Sequence, residues 1–203
     1  MTLLEKMISE GEHLHQDFKY FISDTKKISR SLAAFANTDG GRLLIGVKDN
    51  GKIVGLKHED EEAHVIEAAA TIFCKPEVKY TTIIREWHGK RVLQVNIARS
   101  DNRPHTAPDE TGKPTVYIRK ADENKVANSL ETRYLQIKNN KSPLSLNFSR
   151  SQERIVRWFN EHGIELSLEG NYDIPAIAAS CMVTEKECLD TICTMILMEE
   201  TGY

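Results

Sequence analysis

The stretch Ser31 to Asp49 reads S-L-A-A-F-A-N-T-D-G-G-R-L-L-I-G-V-K-D. Ile28, Leu32 and Phe35 fall at i, i+4 and i+7, which predicts one apolar stripe on a helix beginning near Thr25, with Ser23 or Asp24 as its cap. Ala33, Ala34 and Ala36 suit close packing against a sheet. Asn37-Thr38-Asp39-Gly40-Gly41 ends the helix, because glycine takes positive φ at little cost. Arg42 to Val47 then predicts a buried strand, and Lys48-Asp49-Asn50-Gly51 a hairpin turn that returns through Lys52 to Gly55.

Working outward, Glu12 to Tyr20 alternates weakly and reads as an extended arm or short strand. Asp60 to Cys74 predicts an amphipathic helix with Val65, Ile66, Ala69, Ile72 and Phe73 inward, stopped by Pro76. Val78 to Trp87 and Arg91 to Ala98 flank His88-Gly89-Lys90 as a hairpin. A breaker-rich loop, Arg103 to Pro114, leads to a strand over Thr115–Arg119, and Asn124 to Lys138 reads as a helix. The expected fold is α/β in the α+β sense: a mainly antiparallel or mixed sheet with packed helices, plus a small C-terminal helical, winged-helix-like unit. The expected boundaries are a lobe over 1–138, a linker over 139–148 and a helical unit over 149–203. In that unit Gln152–Glu161, Ile174–Ala179 and Glu185–Met198 are helical, and Ile174 to Thr184 has the cadence of a helix-turn-helix.

Composition narrows the function classes. The formal net charge is −3, so wholesale attraction to a polyanion is not indicated. Residues 1–125 carry 20 Lys and Arg against 19 Asp and Glu, whereas 126–203 carry 7 against 11, so a polyanion belongs to the first part. No apolar run approaches a membrane span of about 20 residues. The acidic, mixed start Met1-Thr2-Leu3-Leu4-Glu5 is unlike a secretory signal, and a cytoplasmic protein is expected. Cys74, Cys181, Cys188 and Cys193 lack the spacing of a zinc site or a disulfide framework. The chain also lacks G-x-x-x-x-G-K-[ST], so no P-loop supports ATP.

Three constellations could carry chemistry. If Glu12, Asp17 and Asp49 converge, they offer oxygen ligands to a divalent cation, with Lys19 beside them as a charge for a phosphate or leaving oxygen. By spacing alone the signal is weak, and solvated carboxylates with Asp49 as a turn former are the favoured reading. Asn37 to Gly41 exposes backbone N–H groups that suit an anion, but also reads as a helix end. The basic residues Lys19, Lys26, Lys27, Arg30, Arg42, Arg119 and Lys120 could cluster on one surface, with Lys26, Lys27 and Arg30 sharing a helix side. Tyr117 or Trp87 are the candidate stacking partners; a solvated charged face is the alternative. His13 and His15 alternate beside the carboxylates. In the C-terminal unit, the start Glu185-Lys186-Glu187 is acidic, which favours a protein contact over DNA reading.

Glu12-x4-Asp17-Phe18-Lys19, Leu32 to Gly41, Ile45-Gly46-Val47-Lys48-Asp49 and Val54-Gly55 together resemble the Schlafen family. More closely they resemble its bacterial relative, the Alba-type DNA-binding domain (Schlafen AlbA_2). Arg103-Pro104-His105 and Val116 to Arg119 are similar to that domain's later motifs, so the likeness runs over about residues 5 to 130. The resemblance implies an α/β lobe that contacts nucleic acid, DNA or RNA, and a DNA-binding transcriptional regulator. It also implies the alternative of a metal-dependent endoribonuclease acting on structured RNA such as tRNA, with Mg2+ or Mn2+ on Glu12, Asp17 and Asp49. The second acid is usually Glu in that family. Asp17 is shorter by roughly one C–C bond, ~1.5 Å. The family's zinc site has no counterpart here. Animal members face two such lobes across a groove, so the resemblance implies a homodimer.

Overall fold

The computed structural model describes residues 1–139 and 147–202. The chain divides into two compact units, Met1–Ala127 and Asn128–Tyr203. In the first, the order is α1 (Leu3–Ser9), β1 (Gln16–Lys19), α2 (Thr25–Asn37), β2 (Gly41–Ile45), α3 (Glu59–Ala68), β3 (Tyr80–Trp87), β4 (Lys90–Ile97), β5 (Thr106–Pro108), β6 (Pro114–Lys120) and β7 (Glu123–Val126). The second holds α4 (Ser129–Asn139), α5 (Arg150–His162), α6 (Ile174–Cys181) and α7 (Glu185–Thr201).

Sheet order in the first unit is β1-β2-β4-β3, with β1 parallel to β2 and the other pairs antiparallel. A second sheet, β5-β6-β7, is antiparallel throughout. The predicted α2 stripe is buried, and Ile28, Leu32 and Phe35 pack with Leu43, Ile45, Leu93 and Val95 from one sheet face. The alternate residues Phe18, Leu44 and Val92 face the other way and pack with Leu4 and Met7 of α1. This is the alternation that a sheet covered on both faces requires. The mixed sheet with packed helices makes the fold α+β, as the sequence pattern indicates.

Several elements depart from the sequence reading. The expected return segment, Lys52 to Gly55, forms no regular strand; Ile53 makes only an isolated bridge to Val47. The helix at 59–68 continues as one wide turn, Ala69–Phe73, in which the Cys74 N–H donates to the Ala69 carbonyl five residues back. A wider turn rotates the register, so Ala70 is buried and Ile72 stands 63% exposed. The expected helix start at Asn124 is instead strand β7, paired with β6 across a turn in which Ala121 has φ 53°.

The helix that follows, α4, belongs with the second unit, which moves the expected boundary from 138 to 127. Its Leu130 and Tyr134 pack with Ile192, Cys193 and Ile196 of α7, and Arg133 pairs with Asp190. Of the expected linker, 140–146 lie outside the described residues. Helices α6 and α7 are joined by Met182, Val183 and Thr184, and Thr184 caps α7. Among the described residues the second unit contains no strand that could form a wing. None of the described helices is long and apolar enough to cross a membrane.

Candidate functional site

The stretch Asn37 to Gly41 turns out to be a structural joint. Asn37 is buried, and its amide nitrogen donates to the carbonyls of His105 and Tyr117, both at 2.8 Å. Its amide oxygen accepts the His105 N–H at 2.7 Å. Thr38 Oγ1 accepts the Arg119 N–H at 2.9 Å, so the end of α2 is stitched to β6. Gly40 has φ 75°, and a Cβ there would lie 2.7 Å from the Ile97 carbonyl oxygen; one on Gly41 would lie 2.5 Å from the Phe35 ring. The glycines therefore serve close packing.

Of the carboxylates, Asp17 lies within β1, Glu12 on the segment just before it and Asp49 after β2. Asp17 is 5% exposed and pairs with Lys19, with Nζ to Oδ2 at 2.6 Å. Lys19 Nζ also donates to the Phe18 carbonyl at 2.8 Å. Glu12 accepts the Phe18 N–H at 2.9 Å. Burial first, and then a hydrogen bond with the Asp17 carboxyl, hold Glu12 above its ordinary 4.5. Asp49 is exposed on the turn after β2.

Arg119, from β6, lies beneath these acids and is 3% exposed. It donates to the His13 carbonyl at 3.0 Å and to Asn124 Oδ1 at 3.1 Å, and its guanidinium stacks 4.6 Å over the Phe35 ring. Desolvation lowers its basicity, while Asp17, Asp122 and Glu12 act in the opposite sense. Asn124 in turn donates to Ser31 Oγ at 2.9 Å, tying β7 to α2.

A cleft of about 750 Å³ lies over this group. Asp17, Lys19, Asp49 and Arg119 line it, together with Lys27 and Arg30 of α2 and Asp122 to Lys125 of the β6–β7 hairpin. Asp24 caps α2 on the same wall, accepting the Lys26 N–H at 2.8 Å. Arg30 is partly engaged, donating to the Pro108 carbonyl at 2.8 Å.

Other expected residues fall elsewhere. Lys26 lines a separate groove with Lys75 and Pro114, because one residue step on α2 turns it away from Lys27. Arg42 binds Gln16 Oε1 at 2.6 Å and pairs with Glu10, away from the cleft. Lys120, at the end of β6, is half-buried and is not part of the cleft wall. Trp87 donates to Glu5 at 2.9 Å and packs near α1, away from the cleft. Tyr117 does line the cleft, but it is only 7% exposed and the Arg30 guanidinium lies 5.9 Å from its ring centre. Sequence reasoning missed Tyr20 and Phe21. They are 46% and 54% exposed, their rings meet edge to face at 5.1 Å, and Phe21 lines the cleft. The available signal was two adjacent aromatics between a strand end and a helix cap, where strand alternation does not bury both.

Glu12 and Asp17 supply oxygen donors of the kind a divalent cation prefers. Asp49 does not join them: among the described residues no group of three or more His, Cys, Asp or Glu is disposed to hold a metal ion. Asp17 and Asp49 nonetheless line the same cleft.

Among solved structures, the chain is similar to the DIP2311 protein of Corynebacterium diphtheriae, with 18% identity and a TM-score of 0.48 over 82% of this chain and 34% of that one. It is also similar to the N-terminal domain of an ATP-dependent DNA helicase RecG-related protein of Nitrosomonas europaea, with 21% identity and a TM-score of 0.45 over 74% of this chain and 99% of that one. The chain thus spans about a third of the length of the first. The family model described as Schlafen, AlbA_2 matches residues 12–128, which takes in Glu12, β1, the α2–β2 joint and the β6–β7 hairpin. With that match over more than half its length, the chain belongs to the Schlafen AlbA_2 family.

Proposed function

We propose that the lobe of residues 1–127 binds nucleic acid in this cleft without turning it over, and that the chain acts as a DNA-binding transcriptional regulator. One observation carries the reading: Asp17, Lys19, Lys27, Arg30 and Asp49 come from separate segments and line one concave space. Of the acids in its wall, Asp17 is matched by Lys19, Glu123 by Lys125, and Asp24 by the N-terminal N–H groups of α2. The α2 side then presents Lys27 and Arg30 to phosphate, while Asp49 and Asp122 lie on turns at other parts of the wall. The helix pair α6–α7 opens its second helix with Glu185 and Glu187, so its role is association with protein rather than reading of DNA. Association of two chains as a homodimer would double the basic surface.

The test is binding of the full chain to duplex DNA and to transfer RNA across a salt series, with and without Mn2+. Neutralising about three phosphates gives a log–log salt slope of about −2 to −3. The double variant Lys27→Glu, Arg30→Glu is expected to weaken binding at least tenfold at low salt and flatten that slope. No salt-dependent affinity for either probe would overturn the reading. Cleavage of transfer RNA that requires Mn2+ and disappears in Asp49→Ala would replace it with the endoribonuclease alternative.

A further inference from the structure

We infer that Tyr20 and Phe21 form a stacking platform for unpaired bases, which makes a single strand the ligand of the cleft. The inference rests on the nucleic-acid reading above and specifies its substrate class. Burying a Phe side chain is worth about 1.5–3 kcal/mol, yet this pair stays half in water while Phe18, two residues earlier, is 1% exposed. Phe21 is shared by two concavities. One is the cleft with Lys19, Lys27 and Arg30; the other is a groove of about 480 Å³ that also contains Tyr20, Lys57 and Lys90. The aromatic pair is therefore a wall between two depressions that each carry cations beside carboxylates, Glu61 and Glu62 being the acids of the groove. Lys48 Nζ sits 5.3 Å over the Tyr20 ring, placing another positive charge at the same wall.

An occupant must bring flat π faces to the ridge and negative charges to both sides of it. An extended polynucleotide strand does this, with bases on the rings and phosphates toward the lysines. A duplex does not, since its base faces are covered by their neighbours in the stack. A wall of this kind selects for strandedness, and tolerates any base because every base has a π face.

The experiment uses the full chain and fluorescein-labelled 12-nucleotide oligouridylate, oligothymidylate and a blunt duplex of equal length, read by anisotropy. Wild type is expected to prefer both single strands over the duplex, and their ratio distinguishes RNA from DNA as the source. Tyr20→Leu and Phe21→Leu are each expected to weaken single-strand binding by about tenfold and duplex binding much less, so that the preference for single strands shrinks. Leucine keeps apolar volume at an exposed position. Phe21→Trp is expected to restore affinity and add indole emission that a stacked base quenches. Leucine variants that bind within twofold of wild type, or a wild type that prefers the duplex, would overturn the platform and leave the cleft reading standing. A wild type that binds none of the probes would overturn both.

Discussion

Asn37 satisfies two carbonyls and one N–H that lie in the core between α2 and the second sheet. Leaving such groups without partners costs about 1–3 kcal/mol each. Asn37→Ala is therefore expected to lose about 3 kcal/mol or more, read as a lower urea midpoint. His105, beside it, is 1% exposed, and burial holds its imidazole below the ordinary 6.5 despite its contact with the Pro76 carbonyl. The unfolded chain then takes up a proton that the folded chain refuses. Stability is expected to fall as pH drops below 6.5, and the His105 ring signals should titrate later than those of exposed histidines in an NMR series. Glu12 behaves oppositely. Its raised pKa gives stability that is full below 4.5 and lost as pH rises through the folded value. Asp17→Asn removes the neighbouring charge but not the burial, so the Glu12 carboxyl should move part of the way back toward 4.5 in a 13C titration.

At the level of elements, legibility followed locality. The α2 stripe and the β2 strand were readable because the period and the stop signal lie within the same few residues. Strand β7 was not, because four residues over Glu123–Val126 have no period of their own and are held by pairing with β6 and by the Asn124 link to Ser31. Helix α1 carried a readable mark, Thr2-x-x-Glu5, whose reciprocal capping bonds are present at 3.2 and 2.6 Å. In the site, residue types were legible and directions were not. Lys26 and Lys27 differ by one step of a helix, and only Lys27 lines the cleft. Asp24 ties this face down at its start: Asp24→Ala is expected to cost about 1 kcal/mol in a thermal melt and to weaken ligand binding by loosening Lys27 and Arg30.

On the scale of the whole molecule, each unit has its own core, so the fragment 1–127 is expected to unfold cooperatively by itself in urea. The four cysteines are buried, and desolvation pushes Cys74 and Cys193 up to about 12 and Cys188 to about 11. A thiol-reactive aromatic disulfide should label native protein slowly and all four thiols at once in guanidinium. Strand β1 lies at the end of its sheet, and its outward backbone groups are all occupied. The Gln16 N–H meets the His13 carbonyl, and the Gln16 carbonyl accepts from the His13 N–H and from Arg119. The Phe18 N–H is held by Glu12 and its carbonyl by Lys19. The side chains that look chemical thus also insulate a sheet border against pairing with a foreign strand. Truncating Glu12 to Ala would strip that insulation and invite self-association, whereas Glu12→Gln keeps an oxygen on the Phe18 N–H. A Glu12→Ala protein that loses function through clumping, and a Glu12→Gln protein that stays monodisperse by light scattering, would separate solubility from chemistry at the same position.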